Sequence, residues 1–282
     1  MFSIVIPTFN NLEYLKSTIK SLKRNSTSKY EIIVHVNDGS DGTKDYLKSE
    51  NITFSWSQDN IGLCSAINAG VKLTNYKYII YSHDDCYFCP SWDKVLIDEI
   101  NKLNHNKFYF SCSLIEHSSG HIKFDCGKDL ESFNEDRLLK NYKNINFYDH
   151  QGSHWSPLCV HLDMWNKIGG FSEEFNPGIG SDPDFNMKLW NNGVRIFKGL
   201  NDFKVYHFAS LTTRKNIKVI QNRGDNTFLK KWGFSIKFFK KFYMRTNEKY
   251  DGPLNEPNKN ILFYFYLLIC KIKFFYVYLL RI

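Results

Sequence analysis

The sequence predicts an α/β fold: a mostly parallel sheet flanked by helices, with a basic, aromatic helical extension at its C-terminal end. Three observations carry this. Short β-branched runs alternate with amphipathic helical stretches from the N-terminus onward. Polar and acidic clusters follow the predicted strands in order, as Thr8-Phe9-Asn10, Asn37-Asp38-Gly39-Ser40 and His83-Asp84-Asp85. The charge is split: residues 211–282 hold 15 Lys/Arg against 4 Asp/Glu, a net of +11, while the remaining 22 basic and 25 acidic residues leave the rest at −3.

Residues 3–6 form a short apolar run that reads as a buried strand ended by Pro7. Leu12, Leu15, Ile19 and Leu22 then recur at helical spacing, with Lys and Ser opposite. Residues 31–36 are a second β-branched run, closed by the turn signal at 37–40. That order predicts a parallel βαβ unit. It continues with a strand at 53–57, a helix near 63–73, a strand at 78–82, a helix at 92–103 and a strand at 108–115. From 116 to 150 the pattern weakens, and an irregular insertion with one short helix is expected. A strand at 156–160, a helix near 162–168, a helix at 182–192 and strands at 194–198 and 204–208 complete the body.

Hydrophobic residues make up 43% of the chain, enough for a real core, so disorder and low-complexity architectures are excluded. The seven cysteines are odd in number and scattered, which argues against a disulfide framework. Cys86 and Cys89 have zinc or redox spacing, but no second pair stands at zinc-ribbon distance. The N-terminus has no basic stretch ahead of a long apolar run, so a cytoplasmic chain is expected. Near the other end, apolar runs at 261–270 and 274–280 are separated by Lys271 and Lys273. Neither run reaches the roughly 20 residues that span a bilayer, and each central lysine adds about 2.5–3.5 kcal/mol to insertion. Lying in the membrane interface is the expected mode.

In an open α/β sheet, ligands bind beyond the carboxyl ends of the strands. The adjacent carboxylates Asp84 and Asp85 repel each other, so a site holding both ionised calls for a cation or strong donors. A divalent ion such as Mg²⁺ or Mn²⁺, sharing carboxylates with diphosphate oxygens, meets that need. The chain has no G-x-G-x-x-G and no G-x-x-x-x-G-K-[ST], which disfavours a dinucleotide oxidoreductase and a P-loop enzyme.

These residues resemble family 2 glycosyltransferases of the type that build bacterial surface polysaccharides. Residues 2–10 (Phe-Ser-Ile-Val-Ile-Pro-Thr-Phe-Asn), 36–43 (Val-Asn-Asp-Gly-Ser-Asp-Gly-Thr), Asn60 to Gly62, Asn68 to Gly70, and 83–85 (His-Asp-Asp) resemble the nucleotide-sugar half. Residues 168–171 (Ile-Gly-Gly-Phe) and 181–184 (Ser-Asp-Pro-Asp) resemble the acceptor half. The resemblance implies a GT-A (Rossmann-like) domain over 1–210, with a nucleotide-sugar half at 1–115 and an acceptor half at 116–210. Residues 211–282 lie outside every motif. It also implies an inverting, metal-dependent transfer of a hexosyl-type sugar from a nucleoside-diphosphate sugar to a hydroxyl of a glycan or lipid-linked acceptor. Pro7, Thr8, Asn10, Asn60 and Gly62 would line the nucleotide-sugar pocket, Asp38 would contact the base, and Asp84 the ribose or diphosphate. Asp85 and His207 would hold Mn²⁺ or Mg²⁺. Asp182 would be the catalytic base, with Asp184 the alternative.

Three positions depart from the family pattern: His83 where Asp or Asn is usual, Ser181 where Glu precedes the base, and Ile67 where many members carry arginine. Trp155 reads either as a platform for an acceptor sugar or as core. Trp190 and His35 read as structural, and the pair His150 and His154 as coincidence. The departures motivate a second reading, a non-catalytic nucleotide-sugar or glycan-binding module. A third, nucleic-acid binding through the basic aromatic stretch 237–243, leaves the ordered acidic motifs unexplained. The +11 segment instead suggests peripheral attachment to the cytoplasmic membrane face.

Overall fold

A computed structural model describes residues 1–208 and 223–279. The expected boundary at 210 and residues 211–222 of the extension lie outside the described residues. One sheet contains β1 (Phe2–Phe9), β2 (Tyr30–Asn37), β3 (Thr53–Ser57), β4 (Tyr78–Tyr81), β5 (Cys86–Phe88), β6 (Phe108–Glu116), β7 (Ile122–Lys123), β8 (His150–Gln151), β9 (Leu158–His161) and β10 (Ile196–His207). Its main path runs β3-β2-β1-β4-β9-β6-β10-β5. The first four strands of that path are parallel. β9 is antiparallel to both neighbours, so β6 and its parallel partner β10 run with the first four. The carboxyl ends of β1, β2, β3, β4, β6 and β10 therefore share one edge.

Helices α1 (Leu12–Asn25), α2 (Thr43–Ser49), α3 (Leu63–Val71), α4 (Trp92–Asn101), α5 (Glu135–Asn141), α6 (Leu162–Ile168) and α7 (Ser181–Asn191) flank the sheet. Both sheet faces are buried, as a parallel sheet requires. Val5, Ile79 and Tyr81 join one hydrophobic cluster, with α3, α6 and α7. Their neighbours Ile4, Ile6 and Ile80 join the other, with α1 and α4, the two-residue alternation of a strand.

The expected elements form, with corrections. β1 does not end at Pro7 but continues to Phe9. Val5 accepts from the Ser82 amide at 3.0 Å on the β4 side, and Pro7, two residues on, faces the same side after β4 has ended. The missing proline N–H thus has no ladder partner to disappoint. The two strands expected at 194–198 and 204–208 are one, β10, with a register shift between Gly199 and Lys204. The short helix α2, entered through Gly42 in the left-handed region, was masked by its Asp/Gly-rich start.

After residue 223 come a helix Gly224–Trp232, a short helix Ile236–Phe239, a π-helical turn Lys240–Met244 and a terminal helix Ile261–Leu279. Phe228, Phe238, Met244 and Phe263 belong to the same cluster as Val5 and Phe185, so this segment packs into the body. The two apolar runs expected near the end are one continuous helix, because Lys271 and Lys273 stay on its exposed side. Phe263, Cys270 and Val277, seven apart, form its docked stripe. Phe265, Leu268, Ile272, Phe275 and Tyr276 are exposed.

Asp184, fully buried on α7, ties this segment down. It accepts from Ser172 Oγ at 2.6 Å and Trp232 Nε1 at 2.9 Å, and pairs with Lys231 Nζ at 2.9 Å. Removing Asp184 leaves Ser172 Oγ and Trp232 Nε1 without their acceptor, whereas Lys231 keeps Glu174 at 2.8 Å. Asp184→Ala is therefore expected to lower the unfolding free energy by about 1–3 kcal/mol in urea titration and to expose the chain after residue 223 to proteolysis.

Candidate active site

The edge holding the strand ends gathers the predicted groups. Asp84, just beyond β4, is buried and accepts from Thr8 Oγ1 at 2.6 Å and Asn11 Nδ2 at 3.0 Å. Its backbone carbonyl accepts from Thr18 Oγ1 at 2.8 Å, which anchors the loop to α1. Burial, then the neighbouring Asp85 charge, pushes the Asp84 carboxyl well above the usual carboxylate range.

Asp85 is also buried, but burial is overridden there by His207, which holds it below that range. The chain turns straight from Asp85 into β5, whose Cys86 pairs with His207 on β10. That antiparallel return brings His207 Nε2 to 3.3 Å from Asp85 Oδ1. On the other side of the ring, Nδ1 lies 2.7 Å from Glu116 Oε1, at the carboxyl end of β6. Burial opposes the imidazolium, yet Asp85 and Glu116 together raise His207 to about 10. His83 goes the other way: burial lowers it to about 4, despite Asp85, leaving a neutral imidazole.

Ligand atoms of His83, Asp85 and His207 all lie within 4.8 Å of one another. His207 Nε2 is buried, and its 3.3 Å contact with Asp85 is too poorly aligned for a hydrogen bond. A buried imidazole nitrogen facing a carboxylate, with a second imidazole alongside, is a donor set that fits a divalent cation, which would displace the proton that Nε2 carries in its absence. The departure at His83 thus supplies a group to the same cluster. Cys86 and Cys89 do not: they pack in different hydrophobic clusters.

Along the edge, Asn10 Nδ2 donates to Asp38 Oδ2 at 2.9 Å, and Asn10 Oδ1 accepts from the Gly39 amide at 3.1 Å. Both Asn10 and Asp38 sit at positive φ, 47° and 63°, a conformation that Asn and Asp tolerate better than most residues. Trp56 Nε1 donates to the Asp38 carbonyl at 2.7 Å, and Lys44 Nζ lies 4.1 Å above its half-exposed ring. Pro7 and Thr8 are buried in β1 beneath this cradle. Asn60 Oδ1 caps the Gly62 amide at 2.9 Å. A Cβ on Gly62 would meet Asn176 Oδ1 at 2.4 Å, and φ is +83° there, so both counts demand glycine. Ile67, where the family places arginine, is fully buried core.

In the first turn of α7, Asp182 Oδ1 is buried and without a hydrogen-bond partner. Burial raises its carboxyl to about 7, with Lys240 pulling the other way. The buried Tyr81 and Ser156 hydroxyls neighbour each other and have no well-formed hydrogen bond. Lys240, half-buried in the π-helical turn, makes no ion pair or side-chain hydrogen bond among the described residues; burial lowers its ammonium pKa, against Asp182 and Asp225. Asp184, by contrast, has both carboxylate oxygens engaged. Trp155 donates Nε1 to the Cys112 carbonyl at 3.0 Å, and the rings of His121 and His150 lie 4.0 and 4.8 Å from it. His150 and His154 sit on β8 and the following loop rather than on a helix.

Sequence reasoning missed Glu116, Lys240, Trp56 and His121. Glu116 lies one residue past the expected strand end at 115, where the strand-end rule already pointed. Lys240 is one lysine in a basic run, and nothing in the pattern singles it out.

The family model described as glycosyl transferase family 2 matches residues 3–154. A protein of Rickettsia prowazekii (strain Madrid E), named an uncharacterized glycosyltransferase, is 31% identical over 245 residues, covering 82% of this chain and 72% of the relative. A chondroitin synthase of Escherichia coli is 23% identical over 83% of this chain, which spans only 34% of that relative. Among solved structures, S. aureus TarS 1–349 in complex with UDP-GlcNAc matches with a TM-score of 0.55 at 17% identity, over 85% of this chain and 74% of that one. GalNAc-T7 with UDP, GalNAc and Mn²⁺ matches with a TM-score of 0.60 at 15% identity, over 85% of this chain and 49% of that one. At such identities the structural likeness speaks to the fold. Together with the family match, it makes this chain a member of glycosyltransferase family 2 with the GT-A fold.

Proposed function

We propose that the protein is an inverting, metal-dependent glycosyltransferase moving a sugar from a nucleoside-diphosphate sugar to a hydroxyl of a glycan or lipid-linked acceptor. One observation carries it: Tyr81, the last residue of β4, packs against His83 of the metal-type cluster at 5.5 Å between ring centroids and feels the charge of Asp182, whose Oδ1 is buried and unpaired. The cradle of Thr8, Asn10, Asp38 and Trp56 is the nucleotide side, with Asp84 beside the ribose or diphosphate. Structural neighbours with bound UDP or UDP-GlcNAc support such a donor. His83, Asp85 and His207 would hold Mn²⁺ or Mg²⁺, and the paired imidazoles favour Mn²⁺, since Mg²⁺ prefers an all-oxygen shell. A cation bound there neutralises charge on the departing diphosphate.

Asp182 accepts the proton of the acceptor hydroxyl as that oxygen bonds to the anomeric carbon and the bond to the diphosphate breaks. A single displacement inverts the carbon and releases the nucleoside diphosphate. A carboxyl near 7 is matched to taking a proton in flight at neutral pH. Tyr81, Ser156 and Lys240 offer polar groups to the acceptor, and Trp155 directly precedes Ser156 in the chain.

The exposed face of the terminal helix, flanked by Lys271 and Lys273, supports peripheral attachment to an anionic, cytoplasmic membrane face. No nucleic-acid partner is invoked.

Turnover with Mn²⁺ tests the central claim. Asp182→Asn should cut kcat by about 10²–10⁴-fold while retaining donor binding, and Asp85→Ala should remove the metal response. Wild type that binds donor yet turns over no faster than both variants is instead a non-catalytic binding module.

The acid limb of the rate profile carries a sign. Asp182 works only when ionised, so activity should rise with pH through about 7. Lys240→Met removes the cation that favours the carboxylate, and the limb should move to higher pH; an unmoved limb separates Lys240 from the base. Sedimentation with anionic liposomes tests attachment: replacing Phe265, Leu268, Ile272 and Tyr276 with serine should release the protein, and undiminished binding would sink the idea.

A further inference from the structure

Glu116 belongs to no motif, yet it is 7% exposed at the carboxyl end of β6, inside the region expected to be irregular. Its Oε1 meets His207 Nδ1 at 2.7 Å, and its Oε2 accepts from Ser119 Oγ. Both oxygens are engaged, so Glu116 faces the ring's far nitrogen and is not itself aimed at the cluster of His83, Asp85 and His207. The opposite nitrogen, Nε2, faces Asp85 at 3.3 Å without a well-aligned hydrogen bond.

The turn after β6 is shaped around this carboxylate. Gly120 sits at φ +76°, and a Cβ there would meet Glu116 Cγ at 2.9 Å and the Leu114 carbonyl at 3.0 Å. His121 Nδ1 accepts from the Leu114 amide at 2.9 Å, and the His121 amide donates back to the Leu114 carbonyl at 3.1 Å, closing the turn. β7 then pairs beside Ile115 and Glu116. The chain thus holds a charged side chain rigidly behind a histidine, at a position where an ordinary surface loop would leave it solvated.

A metal-binding histidine needs its second nitrogen fixed, because the hydrogen bond there sets the tautomer and the ring's orientation. We propose that Glu116 is a positioning residue for the divalent-cation site: it accepts the hydrogen bond of His207 Nδ1–H, fixes the ring and presents Nε2, beside Asp85, to the metal. Ser119 and Gly120 are the frame that keeps Glu116 in place. This rests on the metal site proposed above.

The test is Mn²⁺ binding to the apo full chain, followed by electron paramagnetic resonance of the free ion and by the spin-echo signature of a coordinated imidazole nitrogen. Glu116→Leu keeps the bulk but leaves Nδ1 unpaired. Its affinity for Mn²⁺ should fall by about 10–100-fold, with a weakened imidazole signature. Glu116→Gln, whose amide oxygen still accepts from Nδ1–H, should lose less. A purely structural role would lower thermal stability in both variants and leave Mn²⁺ affinity in the folded protein unchanged. Folded Glu116→Leu that binds Mn²⁺ within twofold of wild type overturns the proposal. Should Glu116→Leu not fold, Ser119→Ala should show a severalfold loss, and no loss there overturns it equally. Asp85→Ala and His207→Ala separate the two levels: if they bind Mn²⁺ like wild type, the metal site itself is wrong and Glu116 falls with it.

Discussion

Two adjacent carboxylates buried at the end of one strand are the constraint around which this structure is arranged. Asp84 and Asp85 repel, and burial penalises both charges. The fold divides the problem. Asp84 is surrounded by Thr8 and Asn11 and carries the raised pKa of the pair. Asp85 keeps its charge because β5 turns back antiparallel and sets His207 beside it. That device needs β10 to run between β5, at the far edge of the sheet, and β6, which also delivers Glu116. The strand order is thus what allows a dense cluster of ionisable groups to sit out of water.

The C-terminal segment shares in this arrangement. Its helix Gly224–Trp232 is held by Asp184, and its π-helical turn places Lys240 where it acts on Asp182. Tyr243 in the same turn packs edge-on to Trp190 of α7, at 5.3 Å between ring centroids. The two aspartates of Ser181-Asp182-Pro183-Asp184 are then distinguished by their partners. Asp184, spent on Ser172, Trp232 and Lys231, cannot take a proton without breaking the tether. Asp182 has a free oxygen and a pKa near neutrality. Their order along the chain left both open as bases; their surroundings favour Asp182.

How much was legible in the sequence follows from what each signal measures. Alternating apolar periods report burial on a sheet face, so the strands and the larger helices emerged near their true places. Strand-end clusters report turn chemistry and charge, so Asp38, Asp84 and Asp85 stood out. Pro7 misled because its effect depends on which side its missing N–H faces, and that is set by where β4 ends, over seventy residues away. Glu116, Lys240 and the role of Asp184 are tertiary facts: each depends on a partner from a distant element, and no local pattern encodes the pairing.

The terminal helix shows magnitudes deciding between two geometries. At 19 residues and about 1.5 Å per residue it is nearly as long as a bilayer's hydrocarbon core. Crossing would bury Lys271 and Lys273 at about 2.5–3.5 kcal/mol each near the centre. It would also pull Phe263, Cys270 and Val277 off the body, where a buried large apolar side chain is worth about 1.5–3 kcal/mol. In hydrocarbon those side chains would regain apolar surroundings, but the aromatic surface they cover on Phe238 and Phe242 would be laid open to water. A helix lying flat keeps the docked stripe in place, seats the outer face in the interface and leaves both lysines at headgroup level. On the proposed membrane attachment, the segment that holds Lys240 near Asp182 would lie beside the membrane plane.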